Sequence, residues 1–202
     1  LFEGIHTLWQ AIHHVPLGAN HRIQLIDGVG GLYQAEIIDN NPKRCSVKIL
    51  ESKKEFGKRN WHLHIAIAPT KNMDRLEWFV EKAVEIGISE IYVINCQRTE
   101  KKSVNQQRIE KIMISAMKQS LNVHLPKLTF VKQFDQLFDL INDSFTQKFV
   151  AHCDGPVQTL QKISNSQNSS IVLIGPEGDF SKDEVDMAKS NEFLPVSLGN
   201  SR

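Results

Sequence analysis

Ser170-Ile171-Val172-Leu173-Ile174-Gly175-Pro176-Glu177-Gly178-Asp179-Phe180-Ser181-Lys182-Asp183-Glu184 places an apolar run, a glycine-bearing loop and a helix start in immediate succession. Residues 171–174 are the β-branched sequence of a strand covered on both faces, and 175–178 end it with two glycines able to adopt positive φ. Ser181 and Glu184 have the spacing of a capping box, and Asp183 and Glu184 suit the positive end of a helix dipole. An ordinary strand-to-helix connection would account for the spacing alone. The loop composition argues for a ligand site, because α/β proteins hold small ligands where a buried strand runs into a glycine loop. Pro176 stiffens the backbone, bare peptide groups admit a flat ligand, and Glu177 could face a hydroxyl or a cation. A phosphate loop is disfavoured: neither Lys182 nor the loop length fits Gly-x-x-x-x-Gly-Lys-Ser/Thr.

Upstream, the pattern divides the chain in two. Residues 23–26, 32–38 and 45–50 read as an antiparallel meander with turns at Asp27-Gly28-Val29-Gly30-Gly31 and Asp39-Asn40-Asn41-Pro42. The first of these glycine runs joins strand to strand, so it is a hairpin turn and no dinucleotide fingerprint. Only a short helix or irregular start is expected over the first twenty residues. The lysine-rich stretch 51–60 marks the expected boundary, with a small domain over 1–57 and a larger one over 58–202.

Beyond it, strands at 61–68, 91–94, 128–131, 149–152 and 171–174 alternate with helical stripes. Leu76, Phe79, Val80, Ala83 and Val84 form one, with Gly87 placed as a C-terminal cap, and Asn105 caps a second carrying Ile109, Ile112, Met113, Ala116 and Met117. A third helix is expected over 133–141 and a polar loop over 164–170. Alternating strands and helices predict a mainly parallel sheet with helices on both faces. The strand ends near Ala151-His152 and Leu198-Gly199 would then share one edge with the 175–178 loop.

Composition narrows the class. With 41% hydrophobic and 23% charged residues, the 202-residue chain reads as an ordinary globular protein, and a cytoplasmic location is expected because no apolar run approaches the ~20 residues of a membrane span. A net charge of +1 gives no global argument for nucleic acid, so any such surface rests on local groups such as Arg98 with Lys101-Lys102. Cys45, Cys96 and Cys153 are scattered and unpaired in pattern, and the histidines at 13–14 and 62–64 lack a third ligand at metal-site spacing. No Gly-x-Ser-x-Gly elbow is present, which disfavours a hydrolase.

Lys71-x-x-x-Arg75-Leu-Glu-Trp-Phe-Val-Glu-Lys82-Ala-Val-Glu85-Ile-Gly87, then Arg98, Ala116-x-x-Gln119-Ser120 with Pro126, and Ile174-Gly-Pro-Glu-Gly-Asp-Phe-Ser-x-x-Glu184 followed by Leu198-Gly199, resemble the RsmE family. Its members are methyltransferases that modify ring nitrogen 3 of a uridine in 16S rRNA of the small ribosomal subunit. The resemblance implies a PUA-like β-barrel followed by a SPOUT-type trefoil-knotted α/β domain, a homodimer, and S-adenosylmethionine as cofactor. By position it implies cofactor contacts at Ile174, Gly175, Glu177 and Gly178, at Leu198 and Gly199, and at Ala151 and His152. Arg98 takes the catalytic place, and Lys71, Arg75, Lys101 and Lys102 are the expected RNA contacts. The general base stays open among Glu177, His152 and Glu100.

The sequence departs from the family at Lys118, Asn122 and around 15–17, and Asp179 stands where a third glycine is common. It also stops at Arg202, where the family continues into a Leu-Arg-x-Glu-Thr-Ala segment and a knot-completing helix, so weak cofactor binding is expected of this stretch alone. A SPOUT methyltransferase acting on tRNA and a non-catalytic RNA-binding or assembly module are the alternatives.

Overall fold

A computed structural model describes residues 18–41, 44–101, 103–141, 145–152, 158–165 and 169–199. The expectations for most of the first twenty residues, for Lys102 and for Arg202 lie outside them. The chain forms two compact units, one of residues 1–58 with 114–125, the other of 59–113 with 126–202.

In the first unit β1 (Arg22–Ile26), β2 (Leu32–Asp39) and β3 (Ser46–Lys53) make an antiparallel sheet in the order β1-β2-β3. Asp27 builds the expected hairpin turn. Its Oδ1 accepts from Val29 N at 2.9 Å and Gly31 N at 2.8 Å, and its Oδ2 accepts from Tyr33 Oη at 3.0 Å. Burial works upward on the Asp27 carboxyl, but these donors outweigh it and hold its pKa below the usual value. Strand β3 runs further than its composition suggested, into the lysine-rich stretch as far as a Leu32↔Lys53 pairing, with register shifts at Gln34/Ala35 and Ile37/Asp39 along the ladder.

The second unit is a six-stranded parallel sheet: β4 (Leu63–Ile67), β5 (Glu90–Ile94), β6 (Lys127–Val131), β7 (Gln147–Ala151), β8 (Ser170–Ile174) and β9 (Leu194–Val196), ordered β6-β5-β4-β8-β7-β9. Among the described residues five helices accompany the strands: α1 (Met73–Ile86), α2 (Gln106–Gln119), α3 (Gln136–Leu140), α4 (Leu160–Ile163) and α5 (Lys182–Ser190). The last turns of α2 belong to the first unit.

Alternation along β8 sorts the core. Ile171 and Leu173 point to one face, where α3 and α5 pack through Leu137, Val185 and Ala188; Val172 and Ile174 point to the other, with Leu160 and Ile163 of α4. Helices thus cover both faces, as alternating elements require. Helix α4 escaped the sequence reading because four residues carry too short a periodicity to register. Helix α3 is shorter than the expected 133–141, since Asp135 caps it, and Ser170, expected in a polar loop, is buried as the first residue of β8.

Gly87 ends α1 at φ 86, where its N–H donates to Ala83 O at 2.9 Å. The Arg59 guanidinium fills the space a side chain at position 87 would need; its Nη1 donates to Ile86 O at 2.9 Å and also to Gly87 O.

Candidate active site

All six strands run the same way, so their carboxyl ends share one edge. At that edge β8 lies between β4 and β7, and β9 lies beyond β7. Ala151 pairs with both Ile174 and Val196, and His152 N donates to Val196 O at 3.0 Å. This register brings Ala151 and His152, the 174–178 loop, and Leu198 with Gly199 to neighbouring positions. They were expected to share an edge, and they do.

The loop's conformation differs from the sequence reading in one respect. Neither Gly175 nor Gly178 has positive φ; the left-handed residue is Asp179, at φ 62. Asp tolerates that region better than most side chains because it can bond its own backbone, and Asp179 Oδ1 accepts from Phe180 N at 2.7 Å. Gly175 is required for another reason. A Cβ there would lie 3.1 Å from the Phe180 ring and 3.2 Å from Phe180 N. That ring is buried, packed 5.6 Å from Phe134.

Two side chains bind the loop to its neighbours. Arg98 Nη1 donates to Gly178 O at 2.8 Å and, more weakly, to Phe180 O at 3.4 Å. Glu177 Oε1 accepts from Lys71 N at 2.9 Å, so this carboxylate clasps the β4–α1 connection. Lys71 Nζ in turn lies 3.1 Å from Glu100 Oε2. The connections after β4, β5 and β8 are thereby joined around Arg98.

The capping box at α5 is present and does more than cap. Glu184 Oε2 accepts from Ser181 N at 2.8 Å, while Oε1 accepts from Gln97 N at 2.7 Å. Thr99 Oγ1, also buried, accepts from Cys96 N at 3.0 Å. Together they fix the turn that presents Arg98. The sequence signalled the cap and gave no sign of the Gln97 contact, which spans 87 residues. Burial pushes the Cys96 thiol up to about 12, with the Glu184 carboxylate adding to it, so this cysteine stays protonated and unreactive at neutral pH.

His152 Nδ1 lies 3.2 Å from Asp179 Oδ2, without the alignment of a directed hydrogen bond. Arg75 and Lys101 are both exposed. No group of three or more metal-ligating side chains occurs among the described residues, and no helix there is long and apolar enough to cross a membrane.

Residues 57–202 match the RNA methyltransferase domain, and residues 17–50 match the RNA methyltransferase PUA domain. The chain belongs to the RNA methyltransferase family. Among curated relatives, it is 32% identical over 145 residues to ribosomal RNA small subunit methyltransferase E 2 of Borreliella burgdorferi, a match covering 69% of this chain and 58% of that protein. It is 27% identical to ribosomal RNA small subunit methyltransferase E of Rickettsia conorii, over 94% of this chain and 79% of that one. Among solved structures, a probable rRNA-methyltransferase from Porphyromonas gingivalis superposes with a TM-score of 0.87 at 33% identity, covering 96% of this chain and 82% of that one. Ribosomal RNA small subunit methyltransferase E from Neisseria gonorrhoeae, solved bound to S-adenosyl methionine, shares the fold at 20% identity, with a TM-score of 0.85 over 96% of this chain and 81% of that one.

Proposed function

We propose that this protein is an S-adenosylmethionine-dependent methyltransferase acting on ring nitrogen 3 of a uridine in 16S rRNA of the small ribosomal subunit. The observation that carries the reading is the shared carboxyl edge of β7, β8 and β9, with Arg98 fastened to its central loop. The family match and the names of the relatives supply the substrate class.

The residues at this edge suit the cofactor. Gly178 is exposed at the end of β8, and beyond β9 a Cβ at Gly199 would meet nothing within 4 Å while Leu198 is 58% exposed. Bare peptide and an exposed apolar side chain are what a flat heterocycle can lie against, and Ile174 and Ala151 pair at the same strand ends. The bound cofactor supplies an electrophilic methyl group carried on a sulfonium.

The chain's own work is to bind, orient and stabilise charge. A uridine imide nitrogen is a poor nucleophile until it loses its proton. A guanidinium opposite the ring carbonyls favours that anion. Arg98 suits the role because Nη1, anchored on Gly178 O, sets the position of the group at an exposed edge. The proton acceptors the edge offers are His152, with Asp179 beside its Nδ1, Glu100, paired with Lys71 Nζ, and Glu177, whose Oε1 holds Lys71 N. Exposed Lys71 and Lys101 fit contacts to RNA phosphates, and Arg75 lies on the adjoining first turn of α1. In this reading the protein is a cytoplasmic homodimer that acts on rRNA in the small subunit.

The test is incubation with methyl-labelled S-adenosylmethionine and, separately, small ribosomal subunits, free 16S rRNA and tRNA, followed by nucleoside mass spectrometry. 3-Methyluridine in 16S rRNA is expected, and Arg98→Lys should lower kcat about 100-fold with cofactor Kd within about twofold. Label confined to tRNA, or no label with a folded protein, would overturn the proposal.

A further inference from the structure

Of the proton acceptors at the strand edge, the two glutamates are occupied by one lysine. Glu100 Oε2 lies 3.1 Å from Lys71 Nζ, and Glu177 Oε1 accepts from Lys71 N at 2.9 Å. Imidazole is also the stronger base by nature, with an ordinary pKa of about 6.5 against about 4.3 for a glutamate, and so lies nearer a neutral working pH. That leaves His152.

The surroundings of His152 fix which of its nitrogens can act. Its backbone N–H donates to Val196 O at 3.0 Å, which holds the residue at the end of β7. Nδ1 is shielded from solvent while the side chain keeps 14% of its surface exposed, so the part that meets solvent is not Nδ1. Asp179 Oδ2 stands 3.2 Å from that buried nitrogen. An ionised carboxylate only accepts, so the proton of a neutral imidazole beside it belongs on Nδ1 and the lone pair on Nε2. Catalytic hydrogen bonds are often poorly aligned before substrate binds and tighten afterwards.

Asp179 is itself held in place. It takes the left-handed conformation at φ 62, and Oδ1 accepts from Phe180 N at 2.7 Å while Oδ2 turns to the imidazole. Arg98 Nη1 donates to the carbonyls on either side of it, Gly178 O at 2.8 Å and Phe180 O at 3.4 Å. Residues 178–180 thus carry both the carboxylate beside His152 and the anchor of Arg98.

We infer that His152 Nε2 takes the imide proton, and that Asp179 is a positioning residue that sets the tautomer and offsets the imidazolium formed. The inference rests on the proposed methyl transfer and deepens it. As the imide N–H bond breaks, its proton passes to Nε2, and the electron pair left on the ring nitrogen forms the new bond to the methyl carbon. The pair of the breaking C–S bond stays on the cofactor sulfur. One positive charge is lost at the sulfonium and one gained at the imidazolium, where the Asp179 carboxylate faces it.

The tautomer is read without substrate or cofactor, by long-range proton–nitrogen NMR correlation on the full chain with nitrogen-15-labelled histidine at about pH 8.5, well above the ordinary imidazole value. His152→Gln identifies the resonances by their disappearance. Wild-type protein should carry the proton on Nδ1. Asp179→Asn keeps a residue suited to the left-handed turn and turns an amide donor toward Nδ1, so the proton should move to Nε2. A merely structural role for Asp179 would leave the tautomer unmoved. In single-turnover methylation of small ribosomal subunits, Asp179→Asn and His152→Gln should each lower the rate about 10²–10⁴-fold, with the cofactor Kd of Asp179→Asn within about twofold. Because the pair acts as a unit, the double variant should be no slower than the slower single one.

A wild-type proton on Nε2, an unchanged tautomer in Asp179→Asn, or a His152→Gln rate within about threefold of wild type would overturn the inference. The last outcome leaves the methyl transfer standing. A wild-type protein with the proton on Nδ1 that methylates no RNA sinks the methyl transfer and the base with it, and leaves only the Asp179–His152 pair.

Discussion

Gly175→Ala tests whether the loop's first glycine is there for close packing or for backbone freedom. Gly175 has no positive φ, so alanine meets no conformational penalty. The cost comes from contact: the added Cβ would sit 3.1 Å from two carbons of the Phe180 ring and 3.2 Å from its amide nitrogen. Phe180 is 2% exposed and wedged against Phe134, so the ring cannot swing into solvent. Forcing one methyl into such a contact costs about 2 kcal/mol, which for a chain of this length lowers Tm by about 4–8 °C. Phe180→Leu removes the offending ring edge at its own packing cost, so in the double variant the alanine should cost at least about 1 kcal/mol less than it does alone.

Thermal and urea unfolding of the four proteins closes the cycle, and calorimetric titration with S-adenosylmethionine reports the loop. On the proposed cofactor role of this loop, the clash moves the segment that carries Glu177 and Gly178, so affinity for S-adenosylmethionine should fall with stability in Gly175→Ala and recover in part in the double variant. An alanine variant as stable as wild type, or a penalty untouched by Phe180→Leu, would refute the packing argument.

Asp179, at φ 62, should accept Gly with a stability change within about 1 kcal/mol, whereas Asp179→Val, β-branched in the left-handed region, should lose about 1–3 kcal/mol in urea unfolding. Asp27→Ala removes the acceptor for Val29 N, Gly31 N and the Tyr33 hydroxyl and should cost about 1–2 kcal/mol, read as faster hydrogen exchange at the amides of residues 29 and 31. The depressed Asp27 pKa makes its contribution present above pH 3.8 and lost as pH falls through the lower folded value; Asp27→Asn should flatten that acid limb. His64 behaves in the opposite sense to a partnered histidine. Burial lowers its pKa from 6.5, against the pull of Glu90 Oε2 at 3.7 Å, so the unfolded chain takes up the proton first and stability falls as pH drops below 6.5. His64→Phe should remove that part of the slope in unfolding measured from pH 7 to 5.

The strand, loop and capped helix at the centre of the candidate site were legible in the sequence because several local signals coincide within 15 residues: a β-branched run, two glycines flanking Pro-Glu, and a Ser-x-x-Glu cap. Each depends on neighbours in the chain, so periodicity and spacing were enough to place β8, the loop and α5. The caps at Asn105 and Gly87 were legible on the same ground. Four-residue α4 and the continuation of β3 into a lysine-rich stretch were not, since one is too short for a period and the other is sustained by cross-strand pairing that outweighs composition.

The sequence by itself thus determined most of the strands and helices, where the candidate loop lies, and which family the chain resembles. Only the tertiary structure decided strand order, and with it that β8 stands between β4 and β7. It also decided that Glu184 reaches Gln97, that Glu177 holds Lys71, that Arg98 is fastened to Gly178, and that Asp179 takes the left-handed turn in place of either glycine. These contacts join residues about 80 to 110 positions apart, and nothing local encodes them. They exist because a parallel sheet gathers the carboxyl ends of its strands at one edge, where polar groups left without ladder partners must find one another.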